Sequence, residues 1–173
     1  MKGLLTAIIF AILSGAQASA QDSLFIQEAA LKWANAAAYT LEVARAMPPE
    51  QYNFRPTPEE MSFGEQLEHM AENMMWLSSN YLTGISVESP LLIKEGRNPE
   101  EIIALMELAL NTAREAILRA NPEGLSATVD FFAGPMTRRQ IILLLHDHHT
   151  HHRGQLVVYL RLNGIKPPRY RGW

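Results

Sequence analysis

Three observations predict an all-α chain, and within that class a four-helix bundle. Four long stretches carry apolar residues at helical spacing, the segments between them carry Pro and Gly, and no alternating apolar and polar run has any length. Helices of about 20 to 27 residues, each with one apolar face, bury those faces by packing side by side as a bundle.

The first twenty residues read differently from the rest. Met1-Lys2 is a short basic start, an apolar run follows from Leu4 to Leu13, and Ala18-Ser19-Ala20 is a small-residue cleavage site. Residues 1–20 are therefore expected to be a secretory signal peptide. The unbroken apolar run falls short of the roughly 20 residues that an uncleaved anchor needs to span a bilayer. Residues 21–173 form the expected domain, periplasmic or secreted and free of the membrane after cleavage. Its size is ordinary for a single core.

The first helix is expected over residues 23–47, with Leu24, Ile26, Leu31, Trp33, Leu41 and Val43 as apolar positions and Pro48-Pro49 as its stop. A loop with Arg55-Pro56-Thr57-Pro58 follows. Ser62-Phe63-Gly64-Glu65 reads as a capping box, in which hydroxyl and carboxylate each satisfy an unpaired backbone N–H. The second helix then runs to about Leu82, before Gly84. Asn98-Pro99-Glu100-Glu101 opens the third with an N-cap, a Pro in the first turn and acids that suit the dipole. It ends near Ala120, before Asn121-Pro122. In residues 123–136, Thr128-Val129-Asp130-Phe131-Phe132 is expected as an extended piece lying across the bundle. Thr137-Arg138-Arg139-Gln140 is a further capping box, and the last helix continues to about Asn163, with Gly164 as its C-terminal stop.

Composition excludes several classes. Without its leader the chain carries 14 basic and 18 acidic residues and no Lys/Arg stripe, so it lacks the electrostatic footprint of a nucleic-acid binder. The tail Arg169-Tyr170-Arg171-Gly172-Trp173 is too short to change that. With no Cys, the chain has no disulfide, no lipid-modified Cys and no thiol nucleophile of its own. Any thiol chemistry must take its thiol from outside.

Five of the six histidines lie within His146-Asp147-His148-His149-Thr150-His151-His152. Imidazole is a middling helix former, so propensity does not explain their density; metal coordination does. His148 and His152, four residues apart, share one helix stripe, which is expected to be the apolar one with Ile141, Leu144, Leu145, Gln155, Leu156 and Tyr159. Two buried imidazoles on one stripe would each need a partner, and one cation satisfies both. His151 lies on the flank of that stripe with its role open. His146 and His149 turn away from it and are expected to face solvent or to support the ligands. Taken alone, His69 in the second helix reads as an imidazole hydrogen-bonded to a carbonyl or a water. Beside the pair it is the natural third ligand. Glu65 and Glu72, one turn on either side of His69, and Gln155, one turn past His152, are candidates to orient a ring or move a proton. For the two glutamates a solvated helix edge is an equal alternative. Arg153 is expected to pair with an acid of a neighbouring helix, and Trp76 and Tyr159 to sit in the core or wall a pocket.

Together these residues resemble the DinB-like superfamily of metal-dependent bundles. His148-His149-Thr150-His151-His152-Arg153-Gly154-Gln155 is similar to its final-helix His-x-x-His-His-Arg-Gly-Gln signature. Residues 159–168 are similar to the tail that follows it, and residues 52–59, leading through Ser62-Phe63-Gly64-Glu65 to His69, to the approach to its first metal ligand. The resemblance implies a divalent ion held by His69, His148 and His152, a long crossover between helices two and three, and a homodimer. It also implies thiol-dependent transferase or isomerase relatives using bacillithiol or mycothiol. The leader is a departure, because export removes the protein from the cytosolic thiol pool. An all-imidazole site suits Zn, Ni, Cu or Fe(II). Three imidazoles leave a coordination position free, as catalytic sites do. The expected function is therefore that of an exported metal-dependent hydrolase or thiol-dependent transferase acting on a small molecule of unknown identity. The alternatives are a non-catalytic metal-binding protein of the envelope, suggested by the surplus histidines, and a structural bundle.

Overall fold

The computed structural model describes residues 2–84 and 96–173, with side chains from residue 20 onward. Its four long helices are α1 (Lys2–Ala46), α2 (Phe63–Leu77), α3 (Pro99–Leu118) and α4 (Arg138–Leu162). The all-α reading holds. The expected long crossover falls on residues 85–95, which lie outside the described residues. One difference is at the start: α1 runs back through the predicted leader, because its Ala, Leu and Ile favour helix and no Pro interrupts it. Among the described residues no helix is long and apolar enough to cross a membrane.

Local chemistry fixes the helix ends. Ser62 with Glu65, Asn98 with Glu101 and Thr137 with Gln140 each form a complete capping box. α2 relaxes into a π-helical turn over Ser78–Thr83 and stops at Gly84, whose φ of 68° is costly for any residue with a Cβ. The loop before α2 is tied to the helix that it feeds: Phe63 N donates to Phe54 O at 3.0 Å and Gly64 N to Tyr52 O at 2.8 Å. A side chain at Gly64 would meet Ile102 at 3.2 Å and the Tyr52 carbonyl at 3.4 Å, so glycine permits this close approach.

The segment expected to lie extended across the bundle is instead a minimal hairpin. β1 (Thr128–Val129) pairs antiparallel with β2 (Met136–Thr137), Thr128 opposite Thr137 and Val129 opposite Met136. Its turn carries Phe131 into the core and leaves Phe132 exposed.

α1 and α2 each pack against both α3 and α4, so the core lies along the common axis. Its centre holds Trp33, Leu67, Met70, Met106, Ile117 and Ile141, all essentially inaccessible. Burying a ring of the size of Trp33 is worth roughly 4–6 kcal/mol at 25 cal/mol per Å². Its indole N–H is not left unpaired, because it donates to Leu110 O at 2.9 Å and so ties α1 to α3.

Candidate metal centre

α4 occupies a corner of the bundle and buries a broad face against α1 and α2. The middle of that face is not the expected stripe. Ile141, Ile142, Leu145, His146, His149, Arg153, Leu156 and Leu160 point inward, while His148 and His152 sit half-buried at its edge. The expectation that His146 and His149 face solvent is therefore corrected: they are 7% and 1% exposed. Their rings meet the Trp33 indole edge-on at 5.1 and 4.9 Å, and His149 Nε2 is 2.5 Å from Thr40 Oγ1. Burial, with help from Lys32, pulls the pKa of His146 down to about 4, and burial holds that of His149 well below its ordinary value. Both are neutral core residues.

The edge position suits His148 and His152 to a ligand role, since an open coordination site needs access from solvent. His69 arrives from α2, and the Nε2 atoms of His69 and His152 each lie 3.2 Å from His148 Nε2. One ring nitrogen from each of the three falls within 4.8 Å of the others. Two nitrogens at about 2.0–2.1 Å from a tetrahedral ion lie about 3.3–3.4 Å from each other, so the observed spacing fits such an ion. A hydrogen-bonded alternative is poor. The single in-plane lone pair or proton of His148 Nε2 cannot serve two neighbours well, whereas a cation partners all three. Burial, then the neighbouring imidazoles, lowers the pKa of His148 and of His152 to about 4, so both offer lone pairs at neutral pH.

Two glutamines fix the orientation of His152. Its Nδ1 lies 2.6 Å from Gln66 Oε1 and 3.0 Å from Gln155 Oε1. Carbonyl oxygens only accept, so Nδ1 carries the proton and the Nε2 lone pair faces His69 and His148. Gln155 is thus placed where the sequence suggests; its Nε2 lies 3.4 Å from Nε2 of the exposed His151. Gln66 escaped sequence analysis. It is 2% exposed on α2, and its one sequence signal is its place three residues before His69, on the same helix face. Substituting Gln66→Leu, which keeps the volume and removes the acceptor, is expected to weaken metal affinity about 10–100-fold. Competition against a chelating dye measures that loss, and unchanged affinity would remove the orienting role.

The other candidates divide. Glu65 does not serve the site: its carboxylate accepts from Ser62 N at 2.7 Å and from Arg55 at 2.6 Å, and the Ser62 N–H in particular holds it below the usual carboxylate range. Its capping duty, visible in the sequence, occupies one oxygen, and the ion pair with Arg55 takes the other. Glu72 shares with His69, Asn73 and Trp76 an open groove of about 390 Å³ along α2. Arg153 finds no acid among the described residues. It donates to Ala36 O at 3.3 Å and lies over the Tyr39 ring, 5.0 Å from its centre. Tyr159 belongs to the core, its hydroxyl donating to Met61 O at 2.9 Å. A second, polar cleft of about 380 Å³ between the starts of α2 and α3 contains none of the histidines.

Comparison with solved structures places this arrangement of helices among known ones. A DinB-like protein from Bacillus subtilis matches with a TM-score of 0.69 and 21% identity, over 83% of this chain and 96% of that one. A DinB-like protein from Bacillus cereus matches with a TM-score of 0.69 and 21% identity, over 85% and 95%. No functionally curated protein matches in sequence. The family model of the DinB family matches residues 20–172, and the chain belongs to that family.

Proposed function

We propose that the protein is an exported, divalent-metal-dependent enzyme that acts on a small molecule, either as a hydrolase or as a transferase using an external thiol. The observation that carries this reading is the convergence of the Nε2 atoms of His69, His148 and His152 beside an open groove. These three residues would hold the ion, with Zn, Ni and Fe(II) as candidates. When bound, the ion supplies Lewis acidity that generates a nucleophile from water or a thiol near neutral pH. The chain's own groups do the rest. Gln66 and Gln155 hold the proton on His152 Nδ1, and Glu72, within the groove, can accept a proton from the incoming nucleophile. Export rests on the leader-like pattern of residues 1–20. N-terminal sequencing of the protein from an envelope fraction should begin at Gln21. A homodimer is the proposed assembly, by analogy with the superfamily that the sequence resembles.

The non-catalytic metal-binding reading is weaker. It relied on surplus outward histidines, and His146 and His149 belong to the core. The test is the untagged protein, analysed for metal and then assayed with ester and amide substrates and with bacillithiol plus an electrophile. About one equivalent of metal, with turnover abolished by chelation, is expected. A protein that takes up none of Zn, Ni or Fe(II) and gains no thermal stability from them would overturn the proposal.

A further inference from the structure

We propose that the groove leading from His69 along α2 binds an uncharged, planar aromatic portion of the substrate, which stacks against Trp76 and Phe132. The inference rests on the metal reading and extends it to substrate class. His69, Asn73 and Trp76, at i, i+4 and i+7, share one stripe, so the groove runs about 10 Å from the histidine centre to the indole. The two ends differ in chemistry. At the far end Trp76 lies 5.7 Å from Phe131 and 6.2 Å from Phe132, at interplanar angles of 40° and 36°, and the two phenyl rings are 4.5 Å apart. Phe131 is buried and anchors the group, whereas Phe132 is 83% exposed.

A lone exposed apolar side chain needs no explanation, but Phe132 is held against the half-buried indole that lines the far end of the groove, where the two rings together offer an aromatic surface to a ligand. Tyr81 meets the same indole edge-on at 5.3 Å, so the ring that a further aromatic partner reaches first is the exposed Phe132, with Trp76 half-buried beside it. Midway along, Glu72 lines the groove beside Asn73, and its carboxylate disfavours an anionic group at that point. The expected ligand therefore has a metal-reactive head, an uncharged middle and a flat apolar end.

Three hydroxamates separate these contributions by calorimetric titration of the zinc-loaded protein: acetohydroxamate as head alone, octanohydroxamate with an alkyl chain, and 4-phenylbutanohydroxamate with a terminal ring. The phenyl compound should bind about three- to tenfold tighter than the octano compound. That ratio should fall to within about twofold in both Trp76→Ala and Phe132→Ala, the second a surface change that leaves the core intact. No phenyl preference in the wild type, or a preference surviving both substitutions, overturns the proposal. Acetohydroxamate binding that is identical with and without zinc overturns the metal reading itself, and with it this extension.

Discussion

Replacing His148 by alanine is expected to reduce bound metal from about one equivalent to less than about a tenth, because its Nε2 is the one within 3.2 Å of both other ligand nitrogens. Without it, His69 comes from one helix and His152 from another, and two monodentate imidazoles hold a divalent ion far more weakly than three. The helix itself should survive. His148 is half-buried at the edge of the α4 face, and alanine is the better helix former. Far-ultraviolet circular dichroism should therefore be unchanged while elemental analysis shows the metal gone. His69→Ala should behave in the same way, whereas His151→Ala, at an exposed position, should retain full occupancy. Full metal retention in His148→Ala would overturn the three-histidine assignment.

The second large effect is expected in acid, in protein stripped of metal. In the unfolded chain His146 titrates near 6.5, but in the fold burial keeps it neutral to about 4. Between these values the unfolded state binds more protons than the folded one, so stability falls as pH drops through this window and is fully present above about 6.5. At 1.36 kcal/mol per unit, His146 alone accounts for on the order of 3 kcal/mol by pH 4. His149, lowered further still, acts in the same direction. A fall in Tm of roughly 5–10 °C between pH 7 and pH 4.5 follows for a domain of this size. His146→Leu should flatten the slope, which separates its share from that of the carboxylates. A chelated protein whose Tm does not move across that range would contradict the buried, neutral state of these rings.

Much of the fold was legible because its determinants are local. Ser62, Asn98 and Thr137 announce helix starts by hydrogen bonds within four residues, and Gly84 and Gly164 mark ends through backbone conformations that glycine tolerates. The i, i+4 spacing of His148 and His152 is equally local. The phase of α4 was not legible. Ile141 to Leu145 is an unbroken apolar run with no period, so it did not show that Leu143 would be exposed and His149 central. A helix packed at a corner buries a wider arc than one stripe, and that arc is set by Trp33 and Thr40, more than a hundred residues earlier. Gln66 stayed hidden for the same reason, as its acceptor role exists only once α2 and α4 meet. The hairpin of β1 and β2 pairs too few residues to leave an alternating pattern.

The capping box at Thr137 sets the phase of every residue on α4, and that has a bearing on how this family can diversify by insertion and deletion. One residue added between Thr137 and His146 would turn the histidine segment by about 100°, carrying the ligand pair off the groove side and the ring that packs on Trp33 out of the core. Metal site and core would fail together. The hairpin turn after Phe132 faces no such coupling, since it ends at its own helix cap, whereas the loop before α2 is held by its bonds to Phe63 and Gly64. Length variation among descendants of this chain should therefore accumulate between Phe132 and Met136, while the stretch from Thr137 to Gln155 keeps its residue count even where side chains change.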